Sequence, residues 1–208
     1  LIEIIASLHN KTSYFKEVSE DKFKSIYEDI KSNISYLSNY YNTLYEIGFN
    51  EVYASPSNYI FMRNYFKINA ALEYANSELD NWYSLVTNET KIRVCLIHNN
   101  LELNHLLNNK LISWDNYMID TPVIDIVKLY KNEWKNINFS EILERYIYKF
   151  PLLDYEKKLL FILISMPPQI KKSNNEFEKC KVISEVMDYV FKTEELIRPY
   201  NTKQEEEK

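Results

Sequence analysis

The stretch RVCLIHNNLELNHLLNNKLISWD, residues 93–115, interrupts a chain whose apolar spacing is otherwise helical. It opens with the short unbroken apolar run of residues 94–97, which is typical of a buried strand. Further on, Asn108 and Asn109 separate two apolar pairs, Leu106-Leu107 and Leu111-Ile112, and two Asn residues can supply the positive φ angles of a two-residue turn. The stretch therefore predicts a strand, a polar loop from His98 to His105 and a β-hairpin, inserted into a helical body.

The rest of the chain shows the spacing of amphipathic helices, with apolar residues three or four apart. One long helix is predicted from Phe23 to Gly48, where glycine is a good terminator. A second helix, Phe61 to Val86, carries a heptad seam; we favour a central helix packed within one lobe and keep a coiled coil as the alternative. Further helices are predicted at Thr121 to Trp134, Ser140 to Phe150, Tyr155 to Met166 and Asn175 to Ile197. The predicted fold class is thus mainly α (α+β), with one lobe over residues 1–199 and a frayed polar tail over residues 200–208.

Glycine occurs only once in the 208 residues, at Gly48. Average usage of about 7% would give about 15 glycines in a chain of this length. Every motif that needs two glycines is absent, including the dinucleotide fingerprint, the phosphate loop and the nucleophile elbow. The sequence therefore excludes Rossmann, P-loop and α/β-hydrolase proteins that rely on those motifs.

The charge balance and the cysteines restrict the partners and the compartment. The formal net charge is −5, and an acidic chain is a poor candidate for nucleic-acid binding, which needs a concentrated basic face. The two cysteines, Cys95 and Cys180, are too few for a disulfide framework and favour a reduced cytoplasmic setting. We expect this cytoplasm to be bacterial. The longest apolar run, Leu159 to Met166, is too short to span a membrane. The chain begins at Leu1 without a basic signal region, so we expect a cytoplasmic fragment or processed piece.

The polar loop invites two chemical interpretations that the spacing does not favour. Cys95, His98, His105 and Asp115 suggest zinc, but Cys95 and His98 lie an odd number of residues apart on or beside a strand, so their side chains leave opposite faces. We therefore expect no metal site. A serine triad of Ser113 and His98 lacks an elbow or oxyanion signal.

The loop more specifically resembles the catalytic segment of the aminoglycoside and choline kinase-like phosphotransferases, a branch of the protein-kinase fold. That segment begins with an apolar strand and continues with H-G-D, four further residues, N and an apolar pair. It is followed by a hairpin and by I-D-W or I-D-F with an acidic residue. The pattern ends with P-x-x-D at the start of a helix. The matching residues here are His98-Asn99-Asn100, His105-Leu106-Leu107, Ile112-Ser113-Trp114-Asp115 and Pro122-Val123-Ile124-Asp125. Leu8-His9, at a predicted helix end, is similar to the segment just after the family's hinge. The resemblance implies a kinase-like C-terminal lobe, with the nucleotide-covering N-terminal lobe upstream of Leu1.

The residues that would perform the chemistry depart from this template. In the family pattern one Asp takes the substrate hydroxyl's proton, while an Asn and a second Asp hold Mg²⁺. These positions hold Asn100, His105 and Ser113, and an amide cannot replace a carboxylate base. Imidazole is a poor ligand for Mg²⁺, and Ser113 is neutral. Asp115 matches a further acidic position and on an extended strand would face the same way as Ser113, so a weak cation site and an ordinary surface residue both stay open.

His98 and Asp125 match positions that support the loop structurally in the family. Together with the three lost residues they predict a pseudokinase: a binding or scaffolding module for a protein partner or small-molecule ligand, without a cofactor. One alternative is an atypical Mg-ATP-dependent kinase of a hydroxylated small molecule, with Asp115 holding the metal. Another is an all-helical interaction protein whose Phe61 to Val86 seam binds a partner helix. The chain alone is not expected to bind Mg-ATP at millimolar concentration.

Overall fold

The computed structural model describes the backbone of residues 1–206 and the side chains of residues 1–200 except that of residue 20. Over that range the chain is mainly helical with small antiparallel sheets, as the sequence predicted. The helices are α1 (Ile2–Thr12), α2 (Glu20–Phe49), α3 (Pro56–Val86), α4 (Val123–Glu133), α5 (Phe139–Lys149), α6 (Asp154–Ser165) and α7 (Glu176–Glu206). The strands are β1 (Tyr14–Glu17), β2 (Lys91–Ile97), β3 (Leu106–Leu107), β4 (Lys110–Leu111) and β5 (Met118–Asp120). None of the helices in residues 1–206 has the length and apolar character that crossing a membrane requires.

The chain forms two compact units. The first unit comprises residues 1–26 and 81–164, and the second comprises residues 27–80 and the chain from Ser165 onward. The first unit contains all five strands and the loop from His98 to His105, whereas the described part of the second is helical. The prediction of one lobe over residues 1–199 stays a prediction.

A three-stranded antiparallel sheet in the first unit carries the loop. Its order is β1-β2-β5, with Tyr14 opposite Val94 and Cys95 opposite Asp120. The sequence predicted β2 but not β1 or β5. Both lie at the sheet edges and are largely exposed, so they lack the alternation of apolar and polar residues that identifies a half-buried strand.

The hairpin is formed as predicted. Leu106 pairs with Leu111 and Leu107 with Lys110, so two residues make the turn. Those residues, Asn108 and Asn109, have φ angles of 48° and 59°. Two consecutive left-handed residues give the type of turn that matches strand twist in hairpins, and Asn tolerates this conformation better than other non-glycine residues.

The seam on α3 is used within the chain. Seven of its eight residues are buried: Phe61, Ile68, Leu72, Ala75, Leu79, Trp82 and Val86. Only Tyr65 is half-buried. The packed central helix is therefore the correct interpretation, and the seam is not available to a partner helix.

Two helix ends differ from the expectation. The α2 helix ends at Phe49, one residue past Gly48, but Gly48 does not have a positive φ. A Cβ at this position would lie 3.2 Å from the Met62 sulfur, so close packing accounts for the glycine better than a turn does. At the other end of the chain, α7 continues past Tyr200 to Glu206. Residues 207 and 208 of the predicted polar tail, and the side chains of 201–206, lie outside the described residues.

Candidate functional site

A buried carboxylate on α4 holds the start of the loop. Asp125 lies in the first turn of α4 and its side chain is fully buried. Its Oδ2 accepts the backbone N–H of His98 at 2.8 Å, and its Oδ1 accepts the backbone N–H of Asn99 at 2.7 Å. Hydrogen bonds to an ionised acceptor are among the strongest in proteins, and burial strengthens them further. The carboxylate therefore fixes the backbone where the strand β2 turns into the loop.

Asp125 is in turn supported by a histidine from α1. The buried His9 places Nε2 at 3.2 Å from Asp125 Oδ2 and Nδ1 at 2.6 Å from the Tyr146 hydroxyl oxygen. Because an ionised carboxylate only accepts, Nε2 carries the proton and donates, and in the neutral ring Nδ1 accepts the Tyr146 proton. Burial raises the pKa of Tyr146 well above its ordinary value, which keeps this hydroxyl protonated. Three buried side chains from three helices thus form one hydrogen-bonded chain that ends on the loop backbone.

Asn99, which stands where the H-G-D pattern has glycine, has a left-handed backbone conformation. Its φ angle is 61°, and its side-chain amide donates to the Asn116 carbonyl at 3.0 Å. The Lys128 ammonium donates to the backbone carbonyl of Asn99 at 2.5 Å and to its side-chain oxygen at 2.6 Å. The strained residue is therefore held from both sides, which explains how a non-glycine residue is accommodated there.

The remaining length of the loop is held by the next turns of the same helix. The Leu103 backbone N–H donates to Glu133 Oε1 at 2.9 Å, and the Asn132 side chain donates to the Leu101 carbonyl at 3.3 Å. Asp125, Lys128 and Asn132 are separated by steps of three and four residues, which place side chains on one face of a helix, and Glu133 is the residue next to Asn132. We call these four residues the α4 clamp: Asp125, Lys128, Asn132 and Glu133. The clamp binds the backbone of the loop at intervals from residue 98 to residue 103.

Two of the predicted chemical positions contact each other. His105 Nδ1 lies 2.6 Å from the Asn100 backbone carbonyl, to which it donates. Both residues are half-buried, and the His105 ring lies 5.4 Å from the His98 ring. The protonated Nδ1 of His105 is committed to the loop backbone. Only Nε2 is left to bind any other group.

His98 connects the loop to the hairpin. Its buried ring donates from Nε2 to the Ile112 carbonyl at 2.8 Å and packs edge-on against Trp114 at 4.8 Å between ring centres. The other ring nitrogen, Nδ1, is buried and has no hydrogen-bond partner among the described residues. The ring thus packs as a structural part of the loop and hairpin.

The geometry expected for Ser113 and Asp115 is wrong. Ser113 has a φ of 65°, and Trp114–Asn116 form a 3₁₀ turn. The two side chains therefore do not follow an extended strand and cannot be placed on one side by its alternation. Both residues are exposed at the exit of the hairpin. Asp115 is the one carboxylate among the four predicted chemical positions.

Several supporting residues were not found from the sequence, among them Lys128, Asn132, Glu133 and Tyr146. Lys128 follows Asp125 by one helical turn, a spacing that could have indicated a shared contact. Tyr146 lies 137 residues from its partner His9, and no local pattern connects them. The sequence likewise did not indicate the pair of Arg93 and the buried Glu156, in which Arg93 Nε donates to Glu156 at 3.0 Å beside the strand β2.

The residues proposed for zinc do not form a ligand set. Among the side chains that the structure describes, no group of three His, Cys, Asp or Glu residues is arranged to hold a metal ion. Cys95 is buried on β2, and burial raises the pKa of its thiol far above the ordinary range. A thiol of this kind is neither a ready ligand nor a nucleophile.

The chain has no counterpart in three comparisons with known proteins: no protein-family model, no curated protein and no solved structure matches it. The resemblance to phosphotransferases therefore depends on the sequence motifs alone.

Proposed function

We propose that this chain is a catalytically degenerate phosphotransferase-like protein, in which the loop 98–105 serves as a rigid binding or scaffolding element. The observation that carries the proposal is the α4 clamp. It fixes the backbone of a loop whose chemical positions, Asn100, His105 and Ser113, hold no carboxylate. The clamp supports the loop, whereas the base and the metal ligands of the phosphotransferase pattern are missing from it.

Phosphoryl transfer by the template's mechanism needs a base and a bound metal at once. Asn100 offers an amide instead of a base, and the His105 imidazole already donates to the Asn100 carbonyl. Ser113 brings no negative charge to a cation. Base and metal act as a unit in such sites, so no single neighbour replaces them.

The hairpin that follows the loop has side chains that suit a binding role. Leu107 is 58% exposed and Ile112 39% exposed, although both flank a polar loop. Exposed apolar side chains that lie close together are typical of surfaces that contact a partner. This favours a protein partner over a reaction at the loop.

The test is ATP consumption by the protein with Mg²⁺ or Mn²⁺ across a panel of hydroxylated small molecules. We expect no turnover above the rate without protein, and no change of melting temperature with 1 mM Mg-ATP. Binding with a Kd of about 10 μM would instead stabilise the protein by roughly 2.7 kcal/mol and raise the melting temperature by a few degrees.

Turnover, or a clear Mg²⁺-dependent rise in melting temperature, would contradict the proposal. The variant Asp115→Ala then separates the alternatives. Loss of activity in that variant would indicate an atypical kinase that uses Asp115 as its metal ligand. Unchanged activity would show that the chemistry lies elsewhere.

A further inference from the structure

A cavity in the second unit has the form of a ligand site that is independent of the loop. Its volume is about 410 Å³, and it is lined by residues of α2, the start of α3, the segment 170–174 and α7. Pockets that hold small molecules typically measure about 300 to 1,000 Å³. The size of this cavity is sufficient for a small organic ligand.

Much of the cavity lining is apolar. Six aliphatic or aromatic side chains line it: Tyr40, Leu44, Ile47, Phe61, Ile170 and Ile183. Phe61 and Ile183 are buried, whereas Ile47 is 56% exposed. An apolar body that enters the cavity would cover this surface and gain from its removal from water.

The rim of the cavity is cationic. Lys171, Lys172 and Lys179 line it, against a single lining acid, Glu51. Lys179 lies 3.7 Å from Glu176, while Lys171 and Lys172 make no ion pair or hydrogen bond with the side chains that the structure describes. Two ammonium groups beside an apolar cavity are complementary to an anionic head group on an apolar body.

The segment that carries the two lysines is attached to α2. The Tyr41 hydroxyl donates to the Pro168 carbonyl at 2.5 Å, and the Tyr40 hydroxyl donates to the Ile170 carbonyl at 3.2 Å. Burial raises the pKa of both tyrosines, so both remain donors at neutral pH. The lysines are thus presented from a fixed backbone, which lowers the entropy cost of binding.

A second cavity in the same unit lacks this complementarity. It measures about 340 Å³ and is lined by Lys67, Glu194 and Arg198 among others. Glu194 already pairs with Lys67 at 2.9 Å and with Arg198 at 3.3 Å. Its cations are therefore largely neutralised, and an anionic ligand would have to displace Glu194.

We propose that the first cavity binds a single-chain amphipathic anion, with an anionic head at Lys171 and Lys172 and an apolar chain against Phe61 and its neighbours. A free carboxylate amphiphile and the head group of a membrane lipid could both supply this chemistry. The experiment below distinguishes these sources.

The probe is decanoate, titrated below its micelle concentration into the full chain and followed by calorimetry. We expect octanoate to bind roughly 15-fold more weakly, because burial contributes ~0.8 kcal/mol for each CH₂, or about fourfold in affinity. Decanol, which has the chain without the charge, should bind at least about tenfold more weakly than decanoate, the loss expected when charge complementarity is removed. Equal binding of decanol and decanoate would overturn the proposal.

Two variants of equal net charge test the rim. Lys171→Glu with Lys172→Glu should lower decanoate affinity by at least about tenfold, since attraction is replaced by repulsion. Lys110→Glu with Lys181→Glu changes two exposed lysines outside the cavity and should leave the affinity unchanged. An equal loss in both variants would show a general charge effect and contradict the site.

A third variant keeps the test open if the rim variant does not fold. Ile47→Asn alters a half-exposed apolar residue of the cavity lining and should lower the affinity for decanoate by several-fold while preserving the fold.

Sedimentation with vesicles of phosphatidylcholine containing one quarter phosphatidylglycerol tests whether the protein binds a membrane lipid. Binding to these vesicles without binding to monomeric decanoate would overturn the proposal, and absence of both would do the same.

Discussion

The loop 98–105 and the cavity of the second unit use polar groups in opposite ways. In the loop, the anchoring carboxylate of Asp125 is fully buried and bonds to two backbone N–H groups and to His9. At the cavity, the ammonium groups of Lys171 and Lys172 are exposed beside an apolar floor. Polar groups that are satisfied internally stabilise a conformation, whereas charges that face an open cavity remain free to bind. We therefore interpret the loop, which resembles a catalytic segment by sequence, as a support, and the cavity, which has no sequence motif, as a site for a ligand.

The largest effect on stability is expected when Asp125, the anchor of the loop, is removed. Asp125→Ala leaves two backbone N–H groups and the His9 ring without their buried acceptor. We expect a loss of about 3 to 5 kcal/mol in the free energy of unfolding, measured by urea denaturation. Asp115→Ala, an exposed carboxylate of the same loop region, is the control and should change stability by less than about 0.5 kcal/mol.

Similar stability of the Asp125→Ala protein and the wild type would contradict a structural role for the clamp. It would also remove the main support for interpreting the loop as a retained scaffold.

Removal of the Tyr146 hydroxyl, which ends the hydrogen-bonded chain of Asp125, His9 and Tyr146, should lower the stability of the protein by less than removal of Asp125. Tyr146→Phe keeps the ring but removes the hydrogen bond to His9 Nδ1. We expect a loss of about 1 to 1.5 kcal/mol, the usual range for one hydrogen bond plus part of the cost of an unpaired acceptor. Tyr148→Phe changes a tyrosine of the same helix that is 89% exposed, and should be nearly neutral. Equal effects in the two variants would show that Tyr146 contributes only through its ring.

Single substitutions at Asn109 test whether the hairpin turn depends on the left-handed conformation of this residue. Asn109 has a φ of 59°, so Asn109→Ala should destabilise the protein by about 1 kcal/mol, while Asn109→Gly should be neutral or stabilising. Thermal unfolding of the two variants measures the difference. A stable alanine variant would mean that the turn relaxes to another conformation without cost.

The helices α2 to α7, the strand β2 and the hairpin could be predicted from the sequence because each depends on local spacing. The seam of α3 repeats every three or four residues, and the Asn pair specifies its own turn. The strands β1 and β5 were missed because their residues are largely exposed, and pairing to β2 stabilises them instead of burial.

The site was predicted in part for the same physical reason. The loop residues follow one another along the chain, so their order and spacing could be compared with a known pattern. Tyr146 and His9 meet only through the packing of two helices distant in sequence. The cavity depends on side chains from separate segments, and its lysines do not stand out in a chain with 25 Lys and Arg residues. Neither arrangement leaves a periodic signal.

The smallest effect that we predict is the loss at acidic pH of the stability that Glu176 contributes beside the cavity. Glu176, in the first turn of α7, accepts the backbone N–H of Ser57 at 2.8 Å. Hydrogen bonds from the Ser57 side chain and backbone lower the pKa of Glu176 below its ordinary value of 4.5. The folded protein therefore binds fewer protons than the unfolded chain in this range of pH. It follows that Glu176 stabilises the fold fully above pH 4.5, and that this contribution is lost as the pH falls through the lower pKa of the folded state.

The measurement compares the melting temperatures of the wild type and Glu176→Gln between pH 7 and pH 3. The wild type should melt higher by a constant margin at neutral pH, and the margin should shrink below about pH 4.5 because protonation gives both side chains a neutral head group. Glu178→Gln is the matched control, since this exposed residue two positions further along α7 has no hydrogen bond among the described side chains. A margin that persists unchanged to pH 3 would contradict the assignment of this stabilisation to the charge of Glu176, since Gln has nearly the same shape and differs from the ionised side chain mainly in charge.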